Sequence, residues 1–240
     1  MGRMFEARKH TIMARNKRNA KAFTRVSREV TIAVKAGGPD PASNPALRRA
    51  IQNGRAVSMP KDRIQAAIER AEGNQGEDYK EIVYEGYAPH GVPMMVVTTT
   101  DNPTRTIANV RMHFKKGNGS IGTSGSVSFM FQRMGVFRLN PEGIDADELE
   151  LEMIDFGLEE LGEGEDDDGN PLLILRCAFE DFGDLQNGLE SQKIEPVSTG
   201  SEFVPASWME LDDAAVADVM ALIERLEGDD DVQEVFHNIQ

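Results

Sequence analysis

Leu172-Leu173-Ile174-Leu175-Arg176-Cys177 is an almost unbroken apolar run, and its length predicts a single buried strand. A short strand is predicted before it, around Leu158–Leu161, and a helix after it, over Phe182–Gln192. Three more elements complete this part of the chain: a strand near Val136–Leu139, a helix over Asp145–Phe156 and a strand around Glu195–Val204. The resulting order, β-α-β-β-α-β, is that of the ferredoxin-like split βαβ motif.

Other β and α elements lie on both sides of this motif. Before it, the pattern predicts strands over Ile82–Tyr87 and Met94–Thr100, a helix over Asn102–Lys116 and an extended segment over Ser126–Phe131. After it come a helix over Asp213–Leu226 and a final strand over Val232–His237. These last two elements need partners. The simplest arrangement returns them to the sheet begun at residues 82–100, which makes that domain discontinuous.

The N-terminal region has the pattern of three helices. From about Ala14 to Lys35, apolar residues recur at spacings of three and four and form one stripe: Phe23, Val26, Val30 and Ala33. A second helix begins at Asn44-Pro45, an N-cap followed by proline at the first helical position. A third begins near Pro60 and stops by Gly73, where residues 73–76 read as a linker.

We therefore predict an α+β protein of three domains, an N-terminal three-helix bundle and two α/β domains of the ferredoxin-like, βαββαβ type. The predicted boundaries are 1–75 for the basic helical domain, 78–133 together with 207–240 for a discontinuous α/β domain, and 134–206 for the α/β domain inserted in it.

The charges are divided unevenly along the chain. Residues 1–70 contain 16 Lys/Arg and 5 Asp/Glu, a net charge of +11, whereas the other 170 residues contain 10 and 36, a net charge of −26. A basic module of this kind attracts polyanions, because neutralised phosphates release their condensed counterions. The uneven charge predicts nucleic-acid binding by the N-terminal domain.

Four cations of the first helix, which we call the basic stripe, repeat the spacing of its apolar residues on roughly the opposite side. They are Arg18, Lys21, Arg25 and Arg28. Such a stripe is often only a solvated face, but its place in so basic a module favours phosphate contacts. The candidate nucleic-acid-binding residues also include four upstream cations and four on the 102–116 helix: Arg8, Lys9, Arg15, Lys17, Arg105, Arg111, Lys115 and Lys116.

Two other patterns have simpler explanations. Gly117–Gly122 spells G-x-G-x-x-G, but it follows a helix and leads into strands, which is the wrong order for a dinucleotide site. A glycine-rich turn is the favoured interpretation, although Lys115 and Lys116 leave a phosphate contact open. The acidic runs 165–168 and 229–231 do not match a calcium loop and are interpreted as solvated hairpin tips.

Nothing in the sequence indicates catalysis. The four histidines lie in unrelated elements, and Cys177 is expected to be a buried strand residue. We expect no enzyme activity, no cofactor and no bound metal, and no small-molecule substrate is evident. No apolar run approaches the length needed to span a bilayer, so we expect a cytoplasmic protein without membrane contacts.

A long series of short segments resembles the YebC family, whose mitochondrial relatives are called translational activators of cytochrome oxidase. Among these segments are Gly38-Pro39-Asp40-Pro41, Met59-Pro60-Lys61-Asp62, Tyr84-Glu85-Gly86-Tyr87, Thr100-Asp101-Asn102-Pro103-Thr104-Arg105-Thr106 and Gly125-Ser126-Val127-Ser128-Phe129-Met130-Phe131. The match runs essentially from end to end, but this chain has Gly2-Arg3-Met4-Phe5 where many members open with His-Ser-Lys-Trp.

The resemblance implies three domains, with the third inserted into the second, and a non-enzymatic regulator of gene expression. Members are commonly described as probable DNA-binding transcriptional regulators, and this is the first function we expect. The alternative is a ribosome- or RNA-associated translation factor, a translational activator that helps relieve stalling. The partner is therefore nucleic acid in both cases, either DNA or RNA in the ribosome.

Overall fold

The computed structural model describes residues 3–73, 78–166 and 169–240, with side chains from Asn19 onward. The described residues form two compact units, one within residues 1–79 and the other within residues 80–240. Within the described residues the first unit is helical, and the second contains four helices and two antiparallel four-stranded sheets. The α+β fold class is thereby confirmed. The exact domain boundaries given above remain a prediction.

The helical unit consists of α1 (Arg3–Gly37), α2 (Pro45–Ala56) and α3 (Lys61–Glu72). The predicted apolar stripe of α1 packs into the core of this unit, with Val26, Val30 and Ala33 buried and Phe23 partly buried. Leu47, Ala50, Ile64 and Ile68 complete the core from α2 and α3. The first helix begins earlier than predicted, at Arg3 instead of about Ala14.

Asn44 ties the end of α1 to the start of α2. Its side-chain oxygen accepts a hydrogen bond from the Leu47 amide at 3.0 Å, which caps α2 as predicted. Its Nδ2 also donates to the carbonyl oxygens of Ala33 and Gly38, at 2.7 and 2.8 Å. The side chain is buried, and a Cβ at Gly37 would lie 2.8 Å from it. The turn between these helices is therefore fixed by one amide group.

The first sheet has the strand order β3-β1-β2-β8. Its strands are β1 (Lys80–Tyr87), β2 (Pro93–Thr100), β3 (Ser120–Ile121) and β8 (Val232–His237). Helices α4 (Pro103–Lys116) and α7 (Asp213–Glu227) pack on it through Val110, Phe114 and Leu222. The last strand of the chain therefore pairs with β2, far from its neighbours in sequence.

The second sheet has the order β5-β6-β4-β7, which is that of the ferredoxin-like fold. Its strands are β4 (Phe131–Leu139), β5 (Leu158–Glu165), β6 (Pro171–Ala178) and β7 (Ser198–Pro205). Helices α5 (Ala146–Met153) and α6 (Phe182–Ser191) cover one face. Phe203 of β7 and Phe236 of β8 meet edge to face, with ring centroids 5.6 Å apart.

The extended segment predicted over Ser126–Phe131 is wrong for most of its length. Residues 124–127 form turns and bends, Ser128–Met130 is a 3₁₀ turn, and β4 begins only at Phe131. The loop is organised instead by the carboxylate of Glu85, which accepts hydrogen bonds from the amides of Gly125, Val127 and Ser128 at 2.7–2.9 Å. Backbone groups that a strand partner would bind are bound here by one buried side chain.

Candidate nucleic-acid interface

The helical period places the described members of the basic stripe on the side of α1 away from the buried valines. Among its members, the side chains of Lys21, Arg25 and Arg28 are described, and each is partly exposed. The Arg18 side chain lies outside the described residues, as do those of Arg8, Lys9, Arg15 and Lys17. Their backbone is helical, so the spacing argument for the stripe holds along α1.

A groove runs between α1 and α3, and Arg28 joins it to the basic stripe. It has a volume of about 580 Å³. Its walls consist largely of small side chains, with arginines and two aromatic residues around them: Ala20, Phe23, Thr24, Ser27, Arg28, Thr31, Met59, Arg63, Ala66, Ala67, Arg70 and Tyr79. We refer to it as the α1–α3 groove.

Arginine and aromatic side chains are paired around this groove. The guanidinium carbon of Arg63 lies 5.5 Å from the centre of the Phe23 ring, and that of Arg28 lies 5.1 Å from the centre of the Tyr79 ring. Both distances are within the range of cation–π attraction. Arg63 and Arg70 are exposed and lie seven residues apart, so they point from the same face of α3.

The candidate cations of α4 have different surroundings. Arg111, Lys115 and Lys116 are exposed in the second half of the helix. Arg105 is also exposed, but its Nη2 is 2.8 Å from Asp101 and 2.9 Å from Asp231. These two carboxylates neutralise the guanidinium charge locally and raise its pKa further above the usual arginine value, chiefly through the hydrogen bond to Asp231. The role of these cations in binding remains a prediction.

The interpretation of residues 229–231 as a hairpin tip is wrong. They form the turn between α7 and β8, and Asp231 is only 3% exposed. Its carboxylate accepts hydrogen bonds from the Arg105 guanidinium and from the Thr106 hydroxyl at 2.8 Å. Three consecutive acidic residues predict a solvent-exposed turn. The burial of Asp231 could not be predicted in this way, because its partners Arg105 and Thr106 lie about 125 positions away in the chain.

The glycine-rich segment 117–122 is a helix-to-strand turn in which glycine is required by close packing. A Cβ at Gly117 would lie 2.8 Å from Leu222, and one at Gly119 would lie 2.7 Å from the Tyr87 carbonyl oxygen. Gly117 follows the last residue of α4, and the segment leads into β3. This geometry agrees with the turn interpretation and offers no helix N-terminus to a dinucleotide.

Reactive and metal-ligating side chains have the following surroundings. Cys177 is fully buried, and burial raises the pKa of its thiol to about 11, so the thiol stays neutral. In the described ranges, no group of three or more His, Cys, Asp or Glu side chains is placed to hold a metal ion. Within the same ranges, no helix has the length and apolar character needed to cross a membrane.

Comparison with known families agrees with both units. Residues 3–74 match the model of the TACO1/YebC protein N-terminal domain, and residues 79–239 match that of the TACO1/YebC second and third domain. The chain belongs to the TACO1/YebC family. The resemblance seen in the sequence is thereby confirmed.

Individual relatives cover the whole chain. A protein from Myxococcus xanthus named a probable transcriptional regulatory protein is 57% identical over 239 residues, covering all of both chains. A protein of the same description from Flavobacterium johnsoniae is 48% identical, covering 100% of this chain and 99% of the relative. The crystal structure of a conserved hypothetical protein from Aquifex aeolicus superposes with a TM-score of 0.79 at 34% identity, covering 92% of this chain and 90% of that one. Regulatory function in this TACO1/YebC member is thus supported by its relatives.

The α3 arginines are not among the cations predicted from the sequence. Arg63 and Arg70 lie seven residues apart in the predicted third helix, and this spacing places both on one face of it. The face of α1 opposite them could not be predicted, because it depends on how the two helices cross.

Proposed function

We propose that this protein is a non-enzymatic regulator of gene expression that binds DNA through its basic helical unit and acts in the cytoplasm. The observation that carries the proposal is the concentration of 16 Lys/Arg against 5 Asp/Glu in residues 1–70 of an otherwise acidic chain. The basic stripe supplies a row of cations on the side of α1 away from the core. Rows of this kind bind phosphates along a backbone. The relatives named as transcriptional regulators support a regulatory setting.

A ribosome- or RNA-associated translation factor is the second candidate. The basic stripe consists of Lys and Arg alone, with none of the Asn or Gln side chains that read adenine in the major groove. Lysine and arginine side chains are also the usual phosphate contacts, which carry no sequence information. RNA phosphates satisfy the same cations as DNA phosphates.

The proposal is tested by replacing the stripe. The variant R18A/K21A/R25A/R28A is compared with the parent for binding of duplex DNA and structured RNA over a series of salt concentrations. For duplex DNA each phosphate contact contributes roughly 0.9 to the magnitude of the slope of log K against log salt, so removing four cations should lower that magnitude by up to about 3.6. Affinity should fall uniformly across sequences.

A charge-matched control, R55A/K61A/K193A/R225A, removes four exposed cations outside the stripe. It should retain most of the parent's salt slope. If the stripe variant bound both nucleic acids as well as the parent at every salt concentration, the proposal would fail. Two assays at the same ionic strength separate the two candidate functions. Co-sedimentation with ribosomes would favour the translation factor, and an electrophoretic mobility shift of duplex DNA would favour the DNA-binding regulator.

A further inference from the structure

We propose that the α1–α3 groove is a binding site for an unpaired nucleotide of a single-stranded nucleic acid. The inference rests on the proposed nucleic-acid binding and adds a location and a ligand class. A phosphate backbone needs only the basic stripe, which is a surface row. The groove beside the stripe has depth, and its lining is suited to a planar, negatively charged group.

The shape of the groove is set by small side chains on both helices. Ala20, Thr24 and Ser27 face it from α1, and Ala66 and Ala67 face it from α3. Larger residues at these positions would close the space between the helices. The volume of about 580 Å³ lies within the usual range for small-molecule sites and is sufficient for one nucleotide.

The charge of the groove fits an anion. Arg28, Arg63 and Arg70 line it, and among the described residues that line it none is Asp or Glu. Within the described part of the chain, neither Arg63 nor Arg70 forms an ion pair with a carboxylate. Two guanidinium groups on one face of α3 are thus available to a phosphate, which arginine binds with two parallel hydrogen bonds.

The aromatic residues supply the second half of nucleotide recognition. The Arg63 guanidinium lies over the Phe23 ring and the Arg28 guanidinium lies over the Tyr79 ring, so each aromatic residue holds a flat cationic group at the groove. Unpaired bases stack on aromatic rings and on guanidinium planes. A base within a duplex is already stacked on its neighbours. The groove therefore selects an unpaired base.

Hydroxyl groups on α1 add polar partners. Thr24, Ser27 and Thr31 each donate their proton to the carbonyl oxygen four residues earlier, at 2.8–3.0 Å. Because these donors are already used, the hydroxyl oxygens can only accept further hydrogen bonds. Exocyclic amino groups of a base and the ribose 2′-hydroxyl are suitable donors.

The test uses the full chain and three fluorescent probes of the same sequence: a 12-nucleotide RNA strand, the matching DNA strand and the DNA duplex. The variant R63A/R70A should weaken binding of single strands by about tenfold or more while changing duplex binding much less. Its control, R55A/K61A, removes the same charge from exposed positions of the same unit outside the groove. The ratio of RNA to DNA affinity shows which sugar the groove accepts.

A second variant tests the space without altering the charge. Ala66 is exposed on α3 and lines the groove, so Ala66→Trp fills it while leaving every arginine in place. A single strand carrying 2-aminopurine, whose fluorescence falls when it stacks, should be quenched by the parent and not by this variant. Circular dichroism checks that the helices are retained.

The proposal is overturned if the parent binds single strands and duplex equally, or if R63A/R70A behaves like its control. Failure of the proposed function has a different signature, since the parent would then bind no nucleic acid at any salt concentration. A third outcome separates the two proposals. If the stripe variant lost duplex binding while R63A/R70A kept its single-strand binding, the proposed function would stand and the groove proposal would fail.

Discussion

The carboxylate of Glu85 accepts a hydrogen bond from the amide of Val127 at 2.8 Å, across 42 positions of the chain. The carbonyl oxygen of Glu85 also accepts from the Gly122 amide at 2.8 Å, so one residue binds both ends of the loop before β4. Glu85 is a residue of the strand β1 and is buried. The loop therefore takes its conformation from the first sheet.

This relationship predicts a pH dependence. Burial raises the pKa of Glu85, but the hydrogen bonds from Val127, Gly125 and Ser128 outweigh it, and the net pKa is lowered. A carboxyl whose pKa is lower in the folded state stabilises the fold above its unfolded pKa of about 4.3 and loses that contribution as the pH falls. Glu85→Gln should destabilise the protein by about 2 kcal/mol at pH 7 and by much less at pH 3. Urea unfolding at the two pH values measures this. Equal destabilisation at both would contradict it.

Of the three adjacent aspartates 229–231, Asp231 should contribute most to stability, because its carboxylate is buried and bound by Arg105 and Thr106. Removing one partner of a buried ion pair typically costs about 3–5 kcal/mol, because the other charge is left without compensation. Since Arg105 is partly exposed, Asp231→Asn should cost less, about 2 kcal/mol. Thermal unfolding compares it with Asp230→Asn, an exposed neighbour. Similar losses for the two variants would show that Arg105 is not held by Asp231.

Asn44 predicts a difference between two N-caps of the same residue type. Asn44→Ala loses the cap and the two hydrogen bonds to the carbonyl oxygens of Ala33 and Gly38, so it should cost about 2–3 kcal/mol. Asn102→Ala at the exposed N-cap of α4 should cost about 1 kcal/mol. Hydrogen exchange of the amides of α2 and α4 reports each helix separately. If the two variants raised the exchange rates of their own helices equally, the additional role of Asn44 in the turn would be contradicted.

Gly86 predicts the effect of a single methyl group. A Cβ at this position would lie 2.6 Å from the Ser120 carbonyl oxygen, which belongs to the backbone of β3 and cannot rotate away. Gly86→Ala should therefore cost about 1–3 kcal/mol. Gly200→Ala in β7 meets no atom within 4 Å and should be tolerated. Urea midpoints of the two variants provide the comparison, and a tolerated Gly86→Ala would mean that β3 is free to move.

The acidic second unit predicts weaker non-specific binding by the whole chain. Residues 71–240 carry a net charge of −26, which repels phosphates and competes for the cations of the helical unit. Residues 1–72 alone should bind random duplex DNA more tightly than the full chain, with the difference shrinking as salt rises. Anisotropy titrations measure both. Equal affinity at low salt would contradict the competition.

The elements that follow a simple period were predictable from sequence. Val26 and Val30 of α1 repeat with the helical period, and the run at residues 172–177 has the length and composition of a buried strand, which is β6. The stripe on α1 follows from the same period. What could not be predicted depends on distant partners. The sequence predicts a solvated tip at Asp231, and no local pattern marks Glu85, because the groups that bind these two carboxylates lie at least 40 positions away.

The pairing of β8 with β2 has a consequence for the time course of synthesis. The core of the helical unit is complete once Ala71 has been added, so that unit can fold while most of the chain is still unmade. Strand β2 ends at Thr100 and is made soon afterwards, but its partner begins only at Val232, 132 positions later. One edge of the first sheet therefore stays open until β8 has been made, and a chain released before that point would expose this edge to neighbouring chains.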